Sequence, residues 1–253
     1  MIPSLAPCFS GTFIRFKDGL ALPGEHASAV SGRDLLETDV IERLMVRFAE
    51  VYPGGDRRAL VSMWAQWHFG ALIIPTTAAI VFLGRDLPVE LDQVSIALHE
   101  GGQTAAIIVP DDGASLPPRG TDRFTRLFAR HVGPLVRHLA GQFGVSPRLL
   151  WSNAADIFEW TLQQAAVDDR ANPGALAEGQ TLLQSKSDGG GQPNPMFGLV
   201  KYLPQDGQTI RRRKVCCLRY LLPGIECCGG ICPTPPKMWL SQKGPVMTTV
   251  RTS

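Results

Sequence analysis

The chain has 253 residues, with 25 Lys and Arg against 23 Asp and Glu, a formal net charge of +2. Charged residues make up 19% and apolar residues 44%, enough apolar material for a buried core, which excludes global disorder. The 26 glycines and 20 prolines fall short of a low-complexity composition, and the near-balance of charge gives no bulk attraction to nucleic acid or an anionic membrane.

Residues 1–32 hold several prolines and glycines and read as loop, with Thr12–Phe16 alternating as a short edge strand. Met1–Ser10 carries no basic residue, has two prolines and lacks an apolar run, so no export signal is indicated and a cytoplasmic, reducing location is expected. A first helix is predicted from Asp34 to Tyr52. Asp34 and Glu37 form a capping-box-like start, and Leu36, Val40, Leu44, Phe48 and Val51 recur at helical spacing. Pro53-Gly54-Gly55 ends it and Asp56 is placed to cap the next helix. From Ala59 to Gly84 there is no Asp, Glu, Lys or Arg. That length suffices for a membrane span, but polar residues and Pro75 interrupt it, so it reads as two buried core helices or one helix and its kinked continuation.

The period then changes. Gln93–Pro110 alternates around Gly101-Gly102 and predicts a β-hairpin. Asp111–Gly120 reads as a turn-rich linker. Helical spacing resumes at Thr121, interrupted by Gly133-Pro134, and Ser146-Pro147 starts another helix running to about Val167. A short helix is expected from Pro173 to Leu183, a Gly/Ser/Pro connector over Ser185–Pro195 with a flexible triple glycine, and a strand over Met196–Leu203. The tail after Pro233 has no strong pattern and is expected to fray. The fold class is α+β, a mainly helical body with a small antiparallel sheet. Residues 1–205 form the body and residues 206–253 a cysteine-rich segment and tail.

The six cysteines are unevenly placed. Cys8 stands alone, and the other five lie between Cys216 and Cys232. Two adjacent pairs, Cys216-Cys217 and Cys227-Cys228, flank a loop with a Pro223-Gly224 turn, and Cys232 follows. Four readings compete for them. Disulfides need an oxidising compartment. A structural zinc ion wants paired knuckles, and Cys228 with Cys232 makes only one good one. Thiol redox chemistry lacks its C-x-x-C motif. An iron–sulfur cluster with two thiolates per iron accommodates paired ligands, and Arg211, Arg212, Arg213, Lys214 and Arg219 supply cations to offset its negative charge.

The stretch Cys216-Cys217-Leu218-Arg219-Tyr220-Leu221-Leu222-Pro223-Gly224 with the later cysteines resembles the C-terminal motif of the FhuF-type siderophore-iron reductases. Tyr52–Leu60, Trp64-Ala65-Gln66-Trp67, Leu149–Ala155 and Asn194-Pro195-Met196-Phe197 are similar to that family's helical body, and the resemblance covers most of residues 35–233. That family carries Cys-Cys, ten residues, Cys, two residues, Cys. Here the last spacing is three residues and Cys227 is an additional thiol beside the third ligand. The resemblance implies a [2Fe–2S] cluster on Cys216, Cys217, Cys228 and Cys232, with Cys227 an alternative to Cys228. The C-terminal segment becomes an iron–sulfur segment. The implied activity is one-electron reduction of Fe(III) held by hydroxamate siderophores, releasing Fe(II) in the cytoplasm.

The implied partners are the ferric hydroxamate siderophore and a ferredoxin-like or flavin electron donor. The run Arg211–Lys214 is suited to dock an acidic donor, and no nucleic-acid partner is expected. The protein is expected to be at most peripheral to the inner membrane, not spanning. A rival of a different class is a non-enzymatic module, either a zinc-stabilised interaction domain or an iron–sulfur redox sensor. Trp64, Trp67, His68, Trp151 and Asn153 are candidates to line a substrate pocket, although helical spacing favours a core role for the tryptophans, and His68 reads as a satisfied core or boundary histidine. His131 and His138 lack metal-helix spacing, and no Gly-x-Gly-x-x-Gly or Walker-type loop is present.

Overall fold

A computed structural model describes residues 1–116, 123–187, 191–205 and 207–233. The expected helix start at Thr121, most of the triple glycine and the tail beyond Pro233 lie outside the described residues. The fold is α+β, as the sequence predicts: among the described residues five α-helices dominate, and short strands form small sheets.

Helix α1 spans Thr38–Val51 after a 3-10 turn at Arg33–Leu36. Glu37, rather than Asp34, stands at the cap and makes no side-chain cap bond, because the 3-10 turn takes up the residues of the expected capping box. Asp56 does cap helix α2, Arg57–Leu83, accepting the N–H groups of Arg58 and Ala59. Helix α2 is a single element running through Pro75, not two helices. It is long and apolar enough to cross a membrane, yet 67% of its apolar window is buried inside the fold. A helix apolar on all sides needs cover all round, and α4, Pro147–Ala165, together with the hairpin below, supplies much of it. Pro75 cannot bond the Ala71 carbonyl, and the chain at Gly19 lies directly over that oxygen: a Cβ at residue 19 would sit 2.9 Å from it.

Strands β1 (Leu20–Ala21), β2 (Val30–Ser31), β4 (Ser95–Leu98) and β5 (Thr104–Ile108) form one sheet in the order β1-β5-β4-β2; β3 (Arg85–Asp86) pairs with β6 (Ala114–Ser115). The β4–β5 hairpin is antiparallel, as expected from its glycine turn, whereas β1 joins β5 in parallel. Thr12–Phe16 is not an edge strand. It lies in a 3-10 helix, Gly11–Phe16, in which Phe13 and Phe16, three residues apart, both meet the edge of Trp160. Three residues per turn stacks those two rings on one side.

Gly133-Pro134 does not interrupt its helix. A π-helical turn, Arg126–Val132, passes directly into α3, Gly133–Phe143. The Arg130 carbonyl, which Pro134 cannot bond, accepts the Leu91 N–H at 3.2 Å. Helix α4 starts at Ser146-Pro147 as read, although the Ser146 hydroxyl makes no cap bond. Helix α5, Pro173–Gln184, is capped by Asn172. The strand expected over Met196–Leu203 is β7, Val200–Gln205, and it pairs with β8, Gln208–Arg213, which leads into the cysteines.

Candidate functional site

The cysteine loop is fastened to α2 and α4 by buried polar contacts. Ser62 on α2 donates its hydroxyl to the Cys217 carbonyl at 2.7 Å. Asn153 on α4 donates to the Ser62 carbonyl and hydroxyl, each at 3.1 Å. The Asn153 side-chain oxygen in turn accepts from Arg213, which is 2% exposed. Asp156 pairs with Arg211 at 2.6 Å and lies 3.7 Å from Arg213. Glu159 takes Arg211 at 2.7 Å. Strand alternation turns residues 211 and 213 to one side, where α4 presents Asp156 and Glu159 one helical turn apart. The basic run is therefore not a free patch: two of its cations are paired inward, and Arg212 and Lys214 stay outside these ion pairs.

Three of the predicted ligands come into direct contact. The sulfurs of Cys217 and Cys228 lie 3.7 Å apart, and the Cys232 thiol is in hydrogen-bond reach of Cys228. Cys216 sits at the start of the same turn, where its sulfur accepts the Leu218 N–H at 3.4 Å. The Tyr220 phenol is raised by burial and, after that, by Cys216 and Cys232 beside it. Cys227 takes part in none of these contacts. Leu218 adopts a left-handed conformation, φ 62°, the sole non-glycine to do so among the described residues. An L-residue there costs roughly 1–2 kcal/mol, and the turn it makes points successive N–H groups, of Leu218 and Arg219, at the sulfurs of Cys216 and Cys217. The extra residue between Cys228 and Cys232 is taken up in a 3-10 turn, Gly229–Ile231, where Gly229 holds φ 62° at no steric penalty.

The electrostatics favour a thiolate. The hydrogen bond from Cys228 first, then the charges of Arg213 and Arg219 with the Arg219 N–H, lower Cys217 to about 6 against the opposing effect of burial. The same shared hydrogen bond, burial and the neighbouring Cys217 and Cys232 push Cys228 upward. A tetrahedral metal with ~2.3 Å bonds to sulfur separates two thiolates by about 3.8 Å, close to the Cys217–Cys228 distance. The donor set, the flanking cations and the inward N–H groups have the chemistry of a metal–thiolate site, but among the described residues no three of these side chains stand at metal-binding geometry. Cys8 lies apart and buried, its thiol pushed up to about 12 by desolvation.

The other sequence candidates are distributed differently. Trp64 is fully buried, stacks on His68 at 5.3 Å and donates its indole N–H to the Gly102 carbonyl at 2.9 Å. His68 is a satisfied core histidine. His131 Nδ1 faces the Val89 carbonyl at 2.6 Å and must carry the proton there. Its Nε2 therefore accepts from His68 Nε2 at 2.9 Å, and His68 Nδ1 accepts from the Thr104 hydroxyl at 2.9 Å. Every nitrogen of the pair has its partner with both rings neutral, which leaves no lone pair for a metal. Trp151 is half-buried against the core. Asn153 belongs to the cysteine anchor, and Trp67 alone of the candidate tryptophans is exposed, at 46%. Sequence reasoning did not find Ser62, Asp156 or the anchoring role of Arg213. The Asp156/Glu159 pair facing alternate arginines was the available signal for two of them; Ser62 left none.

Residues 62–209 match the family described as Ferric iron reductase FhuF-like transporter, more than half of the chain, and the match stops short of Cys216. The chain is also similar to the Ferric siderophore reductase of Escherichia coli (strain K12), 28% identical over 177 residues that cover 69% of this chain and 65% of the relative. It thus aligns with slightly less than two thirds of that relative's length. With its helical body matched over α2 to β8 and its thiols gathered at the end of that body, the chain belongs to the FhuF-like ferric iron reductase family.

Proposed function

We propose that this chain is a cytoplasmic ferric siderophore reductase that delivers one electron to Fe(III) bound by hydroxamate oxygens. Cys216, Cys217, Cys228 and Cys232 would hold a [2Fe–2S] cluster, which when bound supplies single electrons at low potential. The observation that carries the reading is the contact between Cys217 and Cys228, with Cys232 beside them and Cys227 outside.

The chain's own residues do the rest. Ser62, Asn153 and Arg213 fix the backbone at Cys217. The hydrogen bond from Cys228 first, then Arg213 and Arg219, favour its thiolate, and the Leu218 and Arg219 N–H groups donate toward sulfur. Fe(III) is small and hard and grips hydroxamate oxygens tightly. One added electron gives Fe(II), which those oxygens hold poorly; the metal leaves and water supplies the protons the freed hydroxamates take up. The electron originates in a ferredoxin-like or flavin donor. In this reading α2 is the core helix of a protein that does not span the membrane.

Protein purified without oxygen should contain equal iron and acid-labile sulfide and give an EPR signal after dithionite. Cys217→Ser should lose both, and Cys227→Ser should keep them. Stoichiometric zinc without sulfide would overturn the reading. So would a cluster-loaded chain that fails to reduce a ferric trihydroxamate, followed with a ferrous-iron chelator.

A further inference from the structure

A cavity of about 550 Å³ opens beside the cysteine loop. Its walls come from four separate stretches of chain: Phe16 and Arg15 from the 3-10 helix Gly11–Phe16, Met63 and Trp67 from α2, His99 from the hairpin turn, and Arg219 from the cysteine loop itself. We propose that this cavity is where the ferric complex docks, and that it takes an uncharged, oxygen-rich chelate of the trihydroxamate class. The inference rests on the reductase reading and adds the substrate's location.

Three observations carry it. The first is continuity with the thiols. Arg219 lines the cavity with its side chain while its backbone N–H faces the Cys217 sulfur, so one residue separates a docked complex from the candidate redox centre. Among the described residues its buried Nε has no hydrogen-bond partner. The second is Gly70. It lies inside a 27-residue helix, where glycine costs roughly 1 kcal/mol relative to alanine. Packing does not account for it: a Cβ there would meet no atom within 4 Å, and the residue lines the cavity. Alanine or anything larger would project into the cavity. The third is the lining chemistry. Trp67, which lines the cavity, keeps 46% of its surface exposed, so its indole is available to a ligand there. Three hydroxamates cancel the charge of Fe(III), so the complex presents oxygens without net charge. Trp67 and Phe16 offer flat apolar surface for its carbon chain, and Arg15 and Arg219 offer donors to its oxygens, two cations against the single carboxylate of Asp18 and too few to neutralise a trianionic complex.

The test uses the Ga(III) complex of a linear trihydroxamate, which has the shape of the ferric complex but accepts no electron. Titrated calorimetrically into the full, cluster-loaded chain, it should bind. Gly70→Leu should weaken binding roughly tenfold or more while keeping the iron and sulfide content and the thermal melting of the parent. Trp67→Ala, an exposed position, provides a second variant with the same expected loss. A trianionic ferric tris-catecholate should compete poorly. Unchanged binding in both variants, or no Ga(III) complex bound at all, would overturn the docking site. Equal competition by the catecholate would overturn the ligand class. The reductase reading is judged separately, by dithionite-driven reduction of the ferric complex: if that proceeds while both variants bind normally, the cavity is wrong and the activity stands.

Discussion

The surroundings of His68 and of Cys217 both lean on helix α2, and they handle buried heteroatoms in opposite ways. Around His68 each donor meets one acceptor, from the Thr104 hydroxyl through two neutral imidazoles to the Val89 carbonyl, beneath a stacked indole. Nothing in that chain is left to bind. Around Cys217 the sulfurs crowd together, cations lower a thiol, and backbone N–H groups point at sulfur from a left-handed turn. Such an arrangement gathers more lone pairs than the protein's donors use. The first is finished as a piece of protein; the second is the part of the molecule on which the proposed cluster rests.

Substitutions should separate the two regions. The largest effect is expected from Trp64→Ala, which removes a fully buried indole and the partner of the Gly102 carbonyl. It should cost about 4 kcal/mol in urea unfolding of the whole body. Acid should come next. Burial lowers His131 from 6.5 to about 4 and lowers His68 in the same direction. The unfolded chain therefore binds protons first, so the stability of the neutral pair is complete above pH 6.5 and lost as the pH falls through about 4. That loss amounts to about 3 kcal/mol for His131 alone and is measurable as a falling urea midpoint between pH 7.5 and pH 4. Asp168, held down to about 2 mainly by its bond from Arg170, loses its contribution only below the ordinary carboxylate range and leaves this window clear.

Asn153→Ala cuts the link between regions. It strips Arg213 and Ser62 of a buried partner and should cost about 2 kcal/mol. The distinguishing sign is a lower iron content at a still-cooperative unfolding transition. The smallest effect is Asp56→Ala, the loss of an N-cap at the end of α2 nearest Tyr220. It should cost about 1 kcal/mol in the same urea titration.

What could be read in the sequence follows from how local each cause is. The hairpin around Gly101-Gly102, the cap at Asp56 and the helix starting at Pro147 rest on signals within a few residues, and each appears in the fold. Thr12–Phe16 misleads because its β-branched and aromatic residues read as a strand, whereas Phe13 and Phe16, three residues apart, would fall on opposite faces of a strand and share one side of a 3-10 turn. Strand β8 went unread although Asp206-Gly207 is a two-residue hairpin signal; the neighbouring cysteines dominated that stretch. The thiols were visible by their concentration. Their anchor was not, because Ser62 and Asn153 touch across 91 residues of sequence and nothing near Ser62 marks it as a partner of Asn153.

Helix α2 carries Ser62 at one point and Gly70 eight residues further along. At 1.5 Å per residue it acts as a ruler of about 12 Å between the thiol anchor and the cavity floor, and at 100° per residue it also fixes their relative facing. One residue inserted between the two would leave the helix intact and rotate the floor a third of a turn away from the sulfur. In the proposed reading a rigid rod thus keeps electron source and chelate at one fixed separation, through a length of chain that itself performs no chemistry.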